Sequence, residues 1–237
     1  MQRRQFTASA GALLGPAMGL GLLLQHPVAN GAWGGLLSES DASAGVKAAL
    51  ERGATVAVDL LGRPDGFLKN PKVMIPLPGV LKDAAQILKF TGQQKKVDEL
   101  VTAMNRAAES AVPHAQALLI AAVKSLTVAD AVKIVRGGDT AVTQYFSGKT
   151  RVPLGEKFLP IVTEATEKVS LADKYNAVAG KASGLGLVKK EDANIQQYVT
   201  RKALDGLYWM IGEEEKKIRR DPVGTGSDIL SKVFGKG

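Results

Sequence analysis

The chain has no cysteine, only two histidines and few aromatic residues, 5% of the total. Without cysteine there can be no disulfide, no thiol nucleophile, no iron–sulfur cluster and no lipid anchor on an N-terminal Cys. His114 is the only histidine after residue 31, and a lone His at a helix start reads as a polar surface or capping residue. No His-x-x-x-His pair and no acid-rich calcium loop is present, so the usual zinc and EF-hand ligand sets are missing. The reading is therefore of a chain with no metal and no cofactor. Nucleotide motifs are missing too. Ser147-Gly148-Lys149-Thr150 would need Gly at position 143, where Thr stands, and Gly184-Leu185-Gly186 lacks the third glycine of a dinucleotide fingerprint. No Gly-x-Ser-x-Gly elbow exists for a serine hydrolase. With aromatics scarce, the core must be built of Ala, Leu and Val, whose small size lets helices approach closely.

Residues 1–31 read as an export signal rather than as part of the fold. Arg3-Arg4-Gln5-Phe6 opens a basic segment, an apolar stretch runs from Ala8 to Leu24, and Ala29-Asn30-Gly31 places small residues around a cleavage point near Gly31 or Ala32. The twin arginine matches a twin-arginine translocation signal, with the general secretory route as the alternative. The expected compartment is the periplasm. Beyond the signal no apolar run approaches the roughly 20 residues that cross a bilayer. Losing Arg3 and Arg4 and no acid lowers the formal charge from +8 to +6. Export and the interspersing of acids among the bases argue against a nucleic-acid partner and for a solvated surface.

About 205 residues remain of the 237, enough for one domain with a sizeable core. Residues 32–43 form a lead-in and 44–237 a single helical domain. The pattern predicts an all-α bundle of about nine or ten helices around two buried ones. The organising helix is Asp192–Arg220, where Ile195, Val199, Ala203, Gly206 and Met210 share one face. From Ala203 to Ile211 it is apolar nearly all round, which marks a helix through the centre of a bundle. Ala117–Val123, continuously apolar, is the expected second buried helix.

The remaining helices follow from periodicity and punctuation. Ala44–Leu61 should bury Val46, Leu50, Val56 and Leu60. Val80–Phe90 ends at Thr91-Gly92. Gln94–Val112 divides into an apolar face and a polar face containing Arg106 and Glu109, with Asn105 at the margin. Thr127-Val128-Ala129-Asp130 fits a capping box opening a helix that stops at Gly137-Gly138. Asp139 is expected to cap a short helix through Phe146, broken by Ser147-Gly148-Lys149. A separate helix, Leu154–Val169, should turn Phe158, Ile161, Val162, Ala165 and Val169 inward, with Pro160 kinking it. Ser170–Asp173 opens another helix, and Ser227–Phe234 forms an amphipathic tail. Glu213→Lys217 and Glu215→Arg219 are spaced for intrahelical pairs. Between the first two helices, Pro71, Pro76 and Pro78 forbid a helix, so 67–79 reads as an extended arm with a short strand at Val73–Ile75. Phe67, Met74, Ile75 and Leu77 are its expected anchors, laid over the core as a strap.

Several of these segments also carry a family likeness. Gly66-Phe67-Leu68 with Asn70, Ile75-Pro76-Leu77-Pro78, Met104–Glu109, Gln144-Tyr145-Phe146, Lys157–Pro160, Ala203–Tyr208 and Asp221-Pro222 resemble the bacterial domain-of-unknown-function family 4197. The resemblance spans essentially the whole chain after the signal. It implies an exported helical bacterial protein of this size and brings no catalytic residues with it.

Two polar groups stand out as candidate ligand-binding sites. Asp205 sits in the most apolar part of the organising helix, where a carboxylate needs a partner or a raised pKa. Arg201, Lys202 or, from across the bundle, Arg106 could serve. Asp205 with Tyr208 would either line a polar pocket or form a structural ion pair. Asn105, Arg106 and Glu109 could grip a carboxylate or phosphate, or could be a solvated helix face. No residue is singled out as catalytic. The functional expectation is a non-enzymatic binding or envelope-associated module for an amphiphile, peptide or envelope protein. The alternatives are a carboxylate-dependent hydrolase or lyase using Asp205 and Glu109, and a peripheral anionic-lipid binder acting through Lys216–Arg220 or Lys189-Lys190.

Overall fold

A computed structural model describes residues 39–221. The expected signal at 1–31 and the tail helix at 227–234 lie outside them. The described residues form eight α-helices and no strand: α1 Glu39–Gly62, α2 Gly79–Phe90, α3 Gln94–Ala111, α4 Gln116–Lys124, α5 Val128–Arg136, α6 Ala141–Thr166, α7 Ser170–Gly184 and α8 Ile195–Arg220. Short 3-10 turns at Val112–Ala115 and Lys190–Asp192 complete the set.

The α8 helix occupies the centre and packs on α6, α1 and α3. Ile195, Val199, Ala203, Gly206 and Met210 are all buried. Between Ala203 and Gly212 only Asp205 and Trp209 reach solvent. Asn194 caps the helix by accepting from the Gln196 and Gln197 amides. Lys217, Arg219 and Arg220 close it, where cations offset the negative end of the helix dipole.

Its main neighbour is α6, not α4. The separate helices expected at 139–146 and 154–169 are one continuous helix, which lowers the helix count from the nine or ten expected. The cap expected at Asp139 is replaced by Thr140, which makes no side-chain capping bond. Glycine at 148 costs about 1 kcal/mol in a helix and each proline about 3. Against that stand Phe146, Leu154, Phe158 and Val162, buried at about 1.5–3 kcal/mol each. They belong to a stripe repeating every fourth residue, completed by Thr150 and Thr166, whose hydroxyls donate to Phe146 O and Val162 O. Burial outweighs the local breakers. Ala165, expected inside, is exposed because this stripe passes through Thr166 instead.

The second central helix was expected at 117–123. The α4 helix buries Leu119, Ala122 and Val123 but exposes Ala117 and Ala121. It is a surface helix. An alanine methyl costs little to leave in water, so a run rich in Ala does not require burial on every side. In α1, Val46 and Leu50 point inward as expected, but Ala54, Ala57, Val58 and Leu61 replace Val56 and Leu60. The Thr127–Asp130 capping box is formed in both directions.

Residues 63–78 lie over the bundle as a series of turns followed by extended chain, without the short strand expected at 73–75. Asp65 takes a left-handed φ of 68°. Gly66 follows because a Cβ there would sit 2.5 Å from Leu61 O. Phe67 and Ile75 are buried, Leu77 is half-buried, and Val73 rather than Met74 is the remaining anchor. In an extended segment 73 and 75 share a side, which turns Met74 to solvent at 41% exposure. Gly206 on α8 receives the arm: a Cβ there would meet the Phe67 ring at 2.7 Å.

Candidate functional site

The polar residues of α3 are turned toward the arm. Asn105 is fully buried and Glu109 nearly so, which corrects the reading of a solvated face. Asn105 Oδ1 accepts from Ile75 N at 2.8 Å, and its Nδ2 donates to Ile75 O and Val101 O. Glu109 Oε1 accepts from the amides of Phe67 and Leu68, both at 3.0 Å. Arg106 bridges Glu109 Oε2 and Asp65 Oδ1, each at 2.6 Å, and Lys69 closes the chain on Asp65. Hydrogen bonds from Lys69 and Arg106 hold the Asp65 carboxyl below its ordinary range. Two of the five candidate residues, Asn105 and Glu109, thus bind the protein's own backbone where the prolines leave it without helix or strand partners, and Arg106 links Glu109 to Asp65.

The other two candidates form a second cluster, between α6 and α8. Asp205 pairs with Arg151 Nη2 at 3.0 Å and lies 3.8 Å from Arg201 Nη1. Arg201 was an expected partner; Arg151 was not, because it comes from another helix. Arg106 is occupied elsewhere. The Asp205 side chain is 42% exposed, so it is not the buried carboxylate its apolar neighbours suggested. The Arg151 guanidinium stands 5.0 Å from the Tyr208 ring centroid. The Tyr208 hydroxyl lies 2.9 Å from Thr150 Oγ1. Thr150 already gives its proton to Phe146 O, so Tyr208 is the donor. Burial pushes the Tyr208 hydroxyl pKa up.

Of the five candidates, Asp205 is the one that faces the arm-side cleft. A space of about 210 Å³ opens between the arm and α8, lined by Lys72, Met74, Lys202, Asp205 and Trp209 among others. On the other side of Trp209 lies a second space of about 560 Å³, bounded by Arg63, Asp65, Lys69, Glu213 and Lys217. Trp209 lines both and is 38% exposed. The far wall of the arm is pinned by Tyr198, whose hydroxyl donates to Pro76 O at 3.0 Å and is pushed up to about 12 by burial. Sequence reasoning missed Trp209, Met74 and Lys72. A single aromatic left facing outward from a helix buried almost all round has no periodic signature, and the arm's register was needed to place Met74 and Lys72.

Residues 36–235 match the family model described as "Protein of unknown function (DUF4197)". The chain belongs to that family. It matches no curated protein and no solved structure. Several of the segments that carried the likeness prove to be the arm and its supports: Gly66-Phe67-Leu68, Ile75–Pro78, Met104–Glu109 and Ala203–Tyr208.

Chemically, the two clusters do not combine. Glu109 faces the arm's backbone and Asp205 the cleft, with no hydrogen bond or ion pair linking them. Among the described residues no three His, Asp or Glu side chains converge as a metal site would require. No helix there is long and apolar enough to cross a membrane. What the cleft offers is an exposed indole, a thioether and two ammonium groups around a carboxylate already held by arginines.

Proposed function

We propose that the protein is an exported, non-enzymatic binding module, and that the cleft between the arm and α8 takes an amphiphile with an anionic end. The supporting observation is Trp209, a large aromatic face left open on the otherwise nearly buried Ala203–Gly212 stretch of α8 and bordered by open space on both sides. Covering such a face with an apolar chain is worth about 2–3 kcal/mol, and Met74 adds an adaptable neighbour. Lys72 and Lys202 supply positive charge, while Arg151 and Arg201 offset Asp205. The N-terminal pattern of residues 1–31 supports export to the periplasm. The cations expected at Lys216–Arg220 favour an anionic surface less, since Lys216, Lys217 and Arg219 each pair with a glutamate of the same helix.

Trp33→Phe leaves Trp209 as the only indole, since the chain has two tryptophans. Titrating that variant with decanoate should change its emission saturably. Dodecyltrimethylammonium should not, and Lys72→Glu with Lys202→Glu should weaken the decanoate response by tenfold or more. A linear, non-saturating response, or an equal response to the cationic amphiphile, would sink the reading.

A further inference from the structure

The end of α7 carries a feature that the cleft does not use. Helix α7 finishes in a Schellman motif: Leu187 N donates to Ala182 O at 2.9 Å and Gly186 N to Ser183 O at 3.0 Å, with Gly186 at a φ of +75°. That motif ordinarily tucks the residue after the glycine back against the last helical turn. Here Leu187 stays 76% exposed and Leu185 77% exposed. Val178, seven residues before Leu185 and on the same helix face, is 62% exposed. The backbone hydrogen bonds hold this apolar tip in a defined shape, and the inner face of α7 is filled by Leu171, Ala172, Tyr175 and Ala179.

The flanks of the tip are basic. Lys181, Lys189 and Lys190 are exposed and form no ion pair among the described residues. Glu191 is the nearest exposed acid in sequence, and Asp192 is taken by Arg201. We propose that the Lys181–Lys190 tip is a membrane-surface contact, with Leu185 and Leu187 entering the outer part of a bilayer and the three lysines resting on anionic phospholipid headgroups. Apolar side chains alone would suit any greasy partner. The three unpaired lysines on either side of them in the chain select a negatively charged surface, and their long stems can lie along the apolar tip while the ammonium groups stay at the headgroups. The proposal is independent of the cleft and stands or falls by itself.

The absence of cysteine allows a local test on the full chain. In Leu187→Cys the single thiol is labelled with an environment-sensitive fluorophore. The label should move to an apolar environment on vesicles containing phosphatidylglycerol and be quenched by spin-labelled lipid. It should stay aqueous on pure phosphatidylcholine. Replacing Lys181, Lys189 and Lys190 by Gln should weaken the response by about fivefold per lysine, and salt should weaken it as well. The control is Val152→Cys on α6, where the native side chain is 72% exposed. A label at 187 that stays aqueous, a label at 152 that responds equally, or indifference to the lysine changes each overturns the proposal. So does a shift at 187 that rises with protein concentration without lipid, which would make the tip a contact between copies.

Discussion

Asn105 pairs with Ile75 as a neighbouring strand would, taking its amide proton at 2.8 Å and giving one to its carbonyl at 3.0 Å. One primary amide thereby satisfies both backbone groups of a buried residue that no strand adjoins. Asn105→Ala should cost about 2–4 kcal/mol, because two polar groups are left unpaired in the interior. Asn105→Asp should be no better near neutrality, since it keeps the acceptor, loses the donor and adds a buried charge. Urea unfolding gives the stability. Hydrogen exchange gives the location, and the Ile75 amide should lose protection more than the α8 amides do. Equal loss throughout would mean that the arm is not held locally by this pair.

Three helical glycines should respond in opposite directions to one added methyl. A Cβ at Gly206 meets the Phe67 ring at 2.7 Å and Val73 Cβ at 3.3 Å, so Gly206→Ala must push the arm away. A cost of about 1–3 kcal/mol is expected, even after the gain in helix propensity. At Gly148 nothing lies within 4 Å, and at Gly155 the nearest atom is Leu204 Cδ1 at 3.9 Å. Alanine at either should stabilise by about 0.5–1 kcal/mol. Thermal unfolding of the three variants checks this, and a destabilised Gly148→Ala would contradict an unbroken α6.

The same glycines show where the sequence was legible. The centre of α8 could be read because its apolar positions from 203 to 211 include Leu204, Leu207, Tyr208, Met210 and Ile211, whose burial is worth far more than that of the alanines that let α4 lie at the surface. The Thr127 cap was legible because its partner lies three residues away. The continuity of α6 was not, because Gly148, Pro153 and Pro160 argue locally for breaks, and the opposing weight comes from α8 and α3. Glu109 and Asn105 sat on or beside a polar face by spacing, yet they are buried because the arm folds over them. Asp205 failed the other way. Its sequence neighbours are buried, but the cleft beside the arm leaves it half in water. Local periodicity does not reveal which polar side chain meets a loop from elsewhere in the chain.

Asp205 separates structural from binding roles. Its pair with Arg151 is exposed on both sides, 42% and 40%, so screening by water limits its worth to under about 1 kcal/mol. Asp205→Ala should barely move the melting temperature. It also removes the one carboxylate from a cleft containing Lys72 and Lys202, so decanoate binding should tighten by a few-fold. A large loss of stability with no change in binding would assign Asp205 a purely structural role.

Glu215 should leave a signature in the pH dependence of stability. It is 5% exposed, and its Oε1 accepts from Arg219 Nε at 2.9 Å and Nη2 at 2.8 Å. Arg219 Nη2 also donates to Ile134 O, so the pair ties α8 to the end of α5. Oε2 has no hydrogen-bond partner, and beside this carboxyl is a space of about 20 Å³, room for a single water. Burial raises the Glu215 pKa above the ordinary 4.5, with Arg219 only partly opposing. A carboxyl with a raised folded pKa binds more protons folded than unfolded between those two values. Stability must then increase as pH falls through that window toward 4.5, the reverse of a salt-bridged surface acid. Below 4.5 both states are protonated and the effect levels off. Glu215→Gln removes the titration, so the stability of the wild type relative to this variant should rise as the pH is lowered from 7 to about 4.5. Parallel urea curves at several pH values measure that difference with the other titrating groups cancelled. Were the wild type instead to lose ground to the glutamine variant on acidification, the Arg219 contact would outweigh burial, and Glu215 would be a stabilising ion pair at neutral pH.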